Sequence, residues 1–183
     1  MAQRNSFFDV TKPGEYGKEG KDKDKKGFII IQHPSLGKQR IFVASKCFVE
    51  NLRLAHKIDK NNVASMVDKG PYKLSPRYIP EEHLEGRYGL NMFVERLGKI
   101  IGTQEDVIIC CAQGVNRSPV AAVIFLIYQG MAAEEARNLV TSCYQSQRCK
   151  DFELNERGNY TEVLHEAYAM QENKTQNSMN VSY

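Results

Sequence analysis

The sequence lacks both a long apolar run and a strong excess of charge of one sign. Its longest apolar stretch, residues 120–128, falls well short of the roughly 20 residues that a membrane-spanning helix needs. Lysine and arginine number 25 against 22 acidic residues, and the net charge of +3 is too small to indicate nucleic-acid binding by itself. No signal-peptide pattern opens the chain. We therefore expect an intracellular protein with no membrane partner, placed in the cytoplasm, with the nucleus as an alternative.

The sequence also lacks any arrangement of cysteines typical of a metal site. Its five cysteines are odd in number and show no ligand spacing, and they stand at positions 47, 110, 111, 143 and 149. That usage suits a reducing compartment, in which thiols stay reduced. No internal repeat or heptad pattern is present. The chain therefore predicts no bound metal or cofactor and no coiled coil.

Length and composition indicate one domain with charged or polar ends. A chain of 183 residues that is 42% hydrophobic can bury a sizeable core, and its length argues against two domains. Residues 11–27 mix charges with glycine and carry almost no apolar side chain, so residues 1–27 are predicted to form a mobile charged arm. Residues 171–183 are rich in Asn, Gln and Ser and are predicted to be a disordered tail. The folded domain is expected between them, over residues 28–170.

Strand-like and helix-like segments alternate along this domain. Two strand-like runs at 28–31 and 40–43, separated by proline and glycine, predict a hairpin. The remaining predicted strands are 63–67, 77–79 and 107–110, and the predicted helices are 48–57, 91–101, 119–127, 132–145 and 160–170. Alternation of this kind indicates an α/β fold built on a central sheet. The segment after the last strand would then lie at the carboxyl end of a central strand, where open α/β sheets place ligands.

One short segment between a predicted strand and a predicted helix combines a nucleophile with a cation. Cys111 and Arg117 stand at the two ends of this loop, with Gly114 between them and Ser118 directly after. Unpaired backbone N–H groups at a helix N-terminus and the positive end of the helix dipole favour a bound phosphate. The planar guanidinium of arginine matches two phosphate oxygens, and glycine lets the backbone curl around the anion. The phosphate-binding residues are therefore predicted to be Ala112, Gln113, Gly114, Val115, Asn116 and Arg117.

Cys111 is the predicted nucleophile of this loop. An unperturbed thiol has a pKa of about 8.5, and a helix N-terminus or a nearby cation lowers it to roughly 3.5 to 7.5. Ser118 is expected to donate a hydrogen bond to the sulfur, which helps the thiolate to form and later to leave. A low-pKa thiol is also sensitive to oxidation, and Cys110 or Cys47 is a candidate partner for a reversible disulfide. For Cys110, a buried strand residue is the better interpretation than a redox partner.

The segment from Cys111 to Ser118 resembles the Cys-x5-Arg motif of the protein tyrosine phosphatase superfamily. Its Arg-Ser ending before an apolar helix most resembles the dual-specificity branch, and residues 41–45, 62–67 and 131–136 are similar to other segments of that branch. The resemblance implies a single domain with a central, mostly parallel twisted sheet flanked by helices. It also implies hydrolysis of phosphotyrosine, phosphoserine or phosphothreonine in a protein substrate through a cysteinyl-phosphate intermediate, with no cofactor.

The sequence departs from the family pattern at two places. The family has a histidine before the nucleophile, where this chain has Cys110. The family's general acid is an aspartate on a loop well before the nucleophile, and residues 78–86 contain no aspartate. Matching the Ile-Pro pair at 79–80 to that of the family places Glu82 or His83 at the acid position, and either residue type can protonate a leaving oxygen. Solvated loop charges are an equally good interpretation of both.

Other functions stay open on the sequence alone. An RNA 5′-triphosphatase of the same superfamily has an Asn-Arg pair like Asn116 and Arg117, and manages without the aspartate; nucleic acid is an expected partner only in that case. Against it, Ser118 and Pro119 replace the Thr-Gly of that branch. A catalytically impaired pseudophosphatase that keeps phosphate affinity is a second alternative. The low-molecular-weight tyrosine phosphatases share the motif but carry it at the very N-terminus, unlike this chain.

Overall fold

The computed structural model describes residues 28–46, 48–49, 63–66, 106–155 and 159–180, and these form an α/β fold. The strands are β1 Phe28–Ile31, β2 Ile41–Ser45, β3 Val63–Ser65 and β4 Val107–Cys111. The helices are α1 Arg117–Tyr128, α2 Ala133–Gln147 and α3 Asn159–Asn180, and a short 3-10 helix spans Pro34–Leu36.

The four strands of the described residues form one sheet in the order β1, β2, β4, β3. β1 and β2 pair antiparallel as a hairpin, whereas β4 runs parallel to both of its neighbours, β2 and β3. The register places Ser45 beside Cys111 and Ser65 beside Cys110. The carboxyl ends of three parallel strands therefore meet at the same edge of the sheet, with β4 in the middle.

Both faces of the sheet are buried, which explains why its strands are almost continuously apolar. One face packs against α1 and α2, and α3 packs on these two helices. The strand residues of this core are Ile29, Ile31, Ile41, Val43, Ala64, Val107, Ile109 and Cys111. The alternate strand residues, Phe28, Phe42, Ala44, Val63, Ile108 and Cys110, pack on the opposite face with Phe48 and Val49. Cys110 and Cys111 thus point to opposite sides of the sheet, as successive residues of a strand do.

Helix α1 is buried on all sides over most of its length. Nine consecutive residues, Ser118 to Leu126, are buried, and α1 packs against the sheet as well as against α2 and α3. Pro119 lies in its first turn, where the missing N–H costs no hydrogen bond. Gly130 ends the helix with a φ of +95°, and its N–H binds the carbonyl oxygen of Ile127 at 3.0 Å.

Two glutamine side chains bind backbone groups that the regular secondary structure leaves open. Gln147 accepts from the N–H of Ile30 at 2.8 Å and donates to its carbonyl oxygen at 2.7 Å, so it covers part of the edge strand β1. Gln171 of α3 accepts from the N–H of Ala133 at the start of α2. That helix gains a cap from outside, because Ala132 at its N-cap position has no side-chain oxygen to provide one.

The structure confirms the predicted hairpin and extends the last predicted helix. β4 extends one residue beyond the predicted strand, to Cys111 itself. Helix α3 continues through Asn180 instead of ending at Met170, so it extends ten residues into the segment that the sequence analysis expects to be a polar tail. This segment contains no proline or glycine, and its first residue is hydrogen-bonded to α2, so the helix propagates beyond that anchor.

Several sequence predictions lie outside the described residues. These are the arm at 1–27, the strand at 77–79, the helix at 91–101 and residues 181–183. Most of the predicted helix at 48–57 also lies outside them, although Phe48 and Val49 at its start are helical.

Candidate active site

The loop predicted to bind phosphate begins at the carboxyl end of the central strand β4. Cys111 is the last residue of that strand, and it is only 2% exposed on the face that the helices cover. Ala112 and Gln113 are exposed, and the chain then returns inward at Gly114, which is buried. The thiol therefore lies at the base of the loop.

Hydrogen-bond donors on the loop and on α1 surround the Cys111 sulfur. Sγ lies 3.2 Å from Oγ of Ser118 and 3.2 Å from the backbone nitrogen of Gly114. Burial of the thiol raises its pKa, because the thiolate loses hydration. The Ser118 hydroxyl lowers the pKa, and so do the backbone N–H groups of Ser118, Asn116 and Gly114. The lowering contributions win, so the pKa of Cys111 lies below its ordinary value.

The N-terminus of α1 closes the loop. Asn116 is the residue before the helix, and Arg117 is its first residue. The first N–H groups of a helix have no partner within it, and the helix dipole places partial positive charge there. The Asn116 side chain does not cap the helix; its Oδ1 accepts from Nδ2 of Asn155 at 3.0 Å. This end of α1 therefore has the electrostatic character of an anion site.

Arg117 is anchored at the end of β3. Its Nη1 donates to the carbonyl oxygen of Met66, 2.8 Å away, and Met66 directly follows that strand. A guanidinium carries five N–H donors in one plane, so this bond orients the group without using all of its donors. The sequence predicts that Arg117 binds phosphate, and this stays a prediction.

Gly114 is the point at which the loop touches the backbone of β2. Its φ is +70°, a conformation that residues with a side chain rarely adopt. A Cβ at this position would lie 2.6 Å from the carbonyl carbon of Ala44 and 2.6 Å from the nitrogen of Ser45. Both distances are shorter than van der Waals contact, so glycine is required by the close packing as well as by the turn.

Two residues at the end of α2, which the sequence analysis does not single out, bind the loop from outside. The Tyr144 hydroxyl donates to the carbonyl oxygen of Gly114 at 2.6 Å. Arg148 donates from Nη1 to the same oxygen at 2.8 Å and from Nη2 to the carbonyl oxygen of Gln113 at 3.0 Å. Burial raises the pKa of Tyr144 well above its ordinary value, so the hydroxyl stays protonated and remains a donor.

A sequence signal for these two residues exists. Ala136, Val140, Tyr144 and Arg148 follow one another at four-residue spacing, which places them on one face of a helix, and the first three are buried. An arginine that continues an apolar stripe indicates a partly buried and hydrogen-bonded cation. Its partner here is the loop backbone, which the spacing does not identify.

The structure does not place the predicted general acids. Glu82 and His83 lie outside the described residues. Asp106 precedes β4 and binds Arg40, whose Nε lies 3.1 Å from Oδ1 of the aspartate. It lies at the opposite end of the strand from Cys111 and is therefore not a candidate acid.

Of the two cysteines considered as redox partners of Cys111, the structure describes only Cys110. Cys110 is fully buried on the opposite face of the sheet, and Cys47 lies outside the described residues. The four described cysteines form no disulfide.

The described groups around Cys111 are hydrogen-bond donors and the positive end of a helix, which suit a thiolate and a bound oxyanion. Within the described ranges, no group of three or more His, Cys, Asp or Glu side chains is arranged to hold a metal ion. None of the helices in that part of the chain combines the length and the apolar character that crossing a membrane requires.

The sequence matches no known protein-family model, and no curated protein is similar to it at a significant level. The interpretation of the candidate site therefore rests on its geometry and chemistry.

Proposed function

We propose that this protein is a cysteine-dependent phosphatase of phosphoproteins, with the fold and the loop of the dual-specificity branch of the protein tyrosine phosphatases. The observation that carries the proposal is the environment of Cys111. The buried thiol accepts from the Gly114 N–H, lies beside the Ser118 hydroxyl and has a lowered pKa. Burial without such donors raises the pKa of a thiol, as it does at Cys143.

The first chemical step transfers the phosphoryl group to sulfur. The Cys111 thiolate attacks phosphorus in line with the leaving oxygen, so that an S–P bond forms as the P–O bond breaks. The loop N–H groups and the Arg117 guanidinium stabilise charge on the equatorial oxygens. The leaving oxygen takes a proton from the general acid, for which the sequence provides Glu82 and His83.

The second step returns the enzyme to its starting state. A water molecule attacks the phosphocysteine, an O–P bond forms and the S–P bond breaks. The conjugate base of the general acid takes the proton of the water. The Ser118 hydroxyl, 3.2 Å from Sγ, donates a hydrogen bond to the sulfur as it leaves as a thiolate.

Hydrolysis of para-nitrophenyl phosphate tests this proposal directly. The parent is expected to release phosphate, and Cys111→Ser is expected to release none while keeping the circular dichroism spectrum of the parent. Cys149→Ser makes the same change at an exposed cysteine and should keep full activity. Full activity of Cys111→Ser would refute the proposal.

Three substrates separate the phosphatase from its alternatives. Phosphotyrosyl and phosphoseryl peptides should be hydrolysed faster than the γ-phosphate is released from triphosphate-ended RNA. The opposite preference would assign an RNA 5′-triphosphatase. Binding of a phosphopeptide with no phosphate release from any substrate would assign a pseudophosphatase.

A pH profile of the same turnover identifies the general acid. Glu82→Gln and His83→Asn each remove a titrating group while keeping a side chain of similar shape. The variant that lacks the acid should lose the fall in rate on the basic limb, because that fall reports deprotonation of the acid. An unchanged basic limb in both variants would exclude both residues.

A further inference from the structure

Arg148 stands at the C-cap of α2, on a turn that is held from two sides. Gln147, one residue earlier, binds both backbone polar groups of Ile30 in β1. Tyr144, one turn earlier, is fully buried and stacks on Phe152 with the ring centroids 4.0 Å apart. The guanidinium of Arg148 therefore extends toward the loop from a fixed base.

The two carbonyl groups that Arg148 binds belong to consecutive peptide units of the loop. In a trans peptide the C=O and the next N–H point in opposite directions, and the described peptide bonds are all trans. Binding of the Gln113 oxygen therefore turns the Gly114 N–H away from α2, toward Cys111 Sγ at 3.2 Å. Binding of the Gly114 oxygen turns the N–H of Val115 away from α2 in the same manner.

We propose that Arg148 is a positioning residue of the anion cradle, which fixes these two peptide units so that their N–H groups face the phosphoryl group. The inference rests on the proposed function, because the anion is taken to be the phosphate of the substrate. A planar guanidinium reaches two adjacent carbonyl oxygens at once, whereas a lysine presents a single nitrogen. Its charge also polarises both peptide groups, which strengthens their N–H groups as donors.

Alkylation of Cys111 by iodoacetamide reports on the thiol and on anion binding by the loop, and it does not require turnover. The alkylation rate as a function of pH gives the pKa of the thiol, and its inhibition by inorganic phosphate gives the affinity of the loop for the anion. Mass spectrometry with peptide fragmentation follows Cys111 separately from the adjacent Cys110. The variants are Arg148→Met and Arg148→Lys, and the control is Arg137→Met, which makes the same change at an exposed position of α2.

Arg148→Met is expected to raise the pKa of Cys111 and to weaken protection by phosphate about tenfold or more, because hydrogen bonds from a charged donor are lost. Arg148→Lys keeps the charge without the fork and should lie between Arg148→Met and the parent. Arg137→Met should match the parent in both measurements. In ester hydrolysis, Arg148→Met should lower kcat more than it raises KM, because the oriented N–H groups bind the transition state most strongly.

The inference is overturned if Arg148→Met folds and matches Arg137→Met in thiol pKa and phosphate protection, whether or not the parent hydrolyses an ester. If Arg148→Met does not fold, the same two measurements are made on Arg148→Lys and Tyr144→Phe. A thiol pKa and a phosphate protection equal to those of the parent in both variants would also overturn the inference. A parent that binds phosphate without hydrolysing an ester, with binding weakened by Arg148→Met, would overturn the phosphatase and support the positioning role. Absence of any protection of the parent by phosphate would overturn both.

Discussion

Replacing Gly114 by alanine should reveal two separate reasons for the glycine in this loop. The first is the φ of +70°, which costs a residue with a Cβ about 1–2 kcal/mol. The second is the packing on β2, where the new methyl group would meet backbone atoms of Ala44 and Ser45 at 2.6 Å. Backbone cannot rotate away as a flexible side chain can, so the loop or the strand must move, at a further cost of about 1–3 kcal/mol.

Gly130 provides the matched control for this substitution. Its φ is +95°, but a Cβ added there meets no heavy atom within 4 Å. Gly130→Ala should therefore lower the free energy of unfolding through backbone strain alone. Both substitutions restrict the unfolded chain to the same extent, so that effect cancels in their difference. Gly114→Ala is expected to lower the free energy of unfolding by about 1–3 kcal/mol more than Gly130→Ala does.

Urea unfolding followed by circular dichroism gives both free energies by the same linear extrapolation. The alkylation rate of Cys111 gives a second readout, because a displaced loop withdraws the Gly114 N–H from the sulfur and the thiol pKa rises. Equal losses of stability in the two variants would show that the close approach to β2 carries no cost, and this would refute the reasoning.

Three other features of the structure each predict a measurable outcome. Ser118→Ala removes the hydroxyl that lowers the pKa of Cys111, so the midpoint of the alkylation profile should move to higher pH; an unchanged midpoint would contradict the hydrogen bond. The pKa of Cys111 is lower in the folded protein than in the unfolded chain, so the parent should gain stability relative to Cys111→Ser as the pH rises from the folded pKa to the unfolded one. The gain should persist at pH values above the unfolded pKa, and urea unfolding across this pH range checks its sign. Gln147→Leu leaves the N–H and C=O of Ile30 without that partner and should cost about 1–3 kcal/mol of unfolding free energy, whereas Asn138→Leu on an exposed position of α2 should not.

The four described strands and the position of the loop after β4 are predictable from the sequence, because local patterns determine them. All five residues of β4 are apolar, since both faces of the sheet are covered, and the loop follows as a break between that strand and an apolar helix. The end of α3 is not predictable in this way. Its polar residues resemble a disordered tail, and the hydrogen bond from Ala133 to Gln171 that anchors them joins segments 38 residues apart.

The supporting contacts of the site escape sequence analysis for the same reason. Tyr144 is 30 residues from Gly114 in the chain, and Arg148 is 34 residues from it. Met66, whose carbonyl oxygen orients Arg117, is 51 residues from that arginine in the chain. Periodicity shows that Tyr144 faces a core, but only the packing of α2 against the sheet decides which backbone groups it meets.

A buried nucleophile stays reactive only if donors outweigh the loss of hydration. Burial raises the pKa at both Cys143 and Cys111, and only at Cys111 do a hydroxyl and three N–H groups reverse the sign. The loop that presents these donors packs on β2 at Gly114 and is bound by Arg148 from α2. Neither contact passes through Cys110, whose side chain lies on the other face of the sheet. Cys110, which stands where the phosphatase family that the motif resembles has a histidine, therefore leaves the hydrogen-bond donors around Cys111 intact. Under the proposed function, the reactivity of the thiol depends on the contacts that hold the loop against α2.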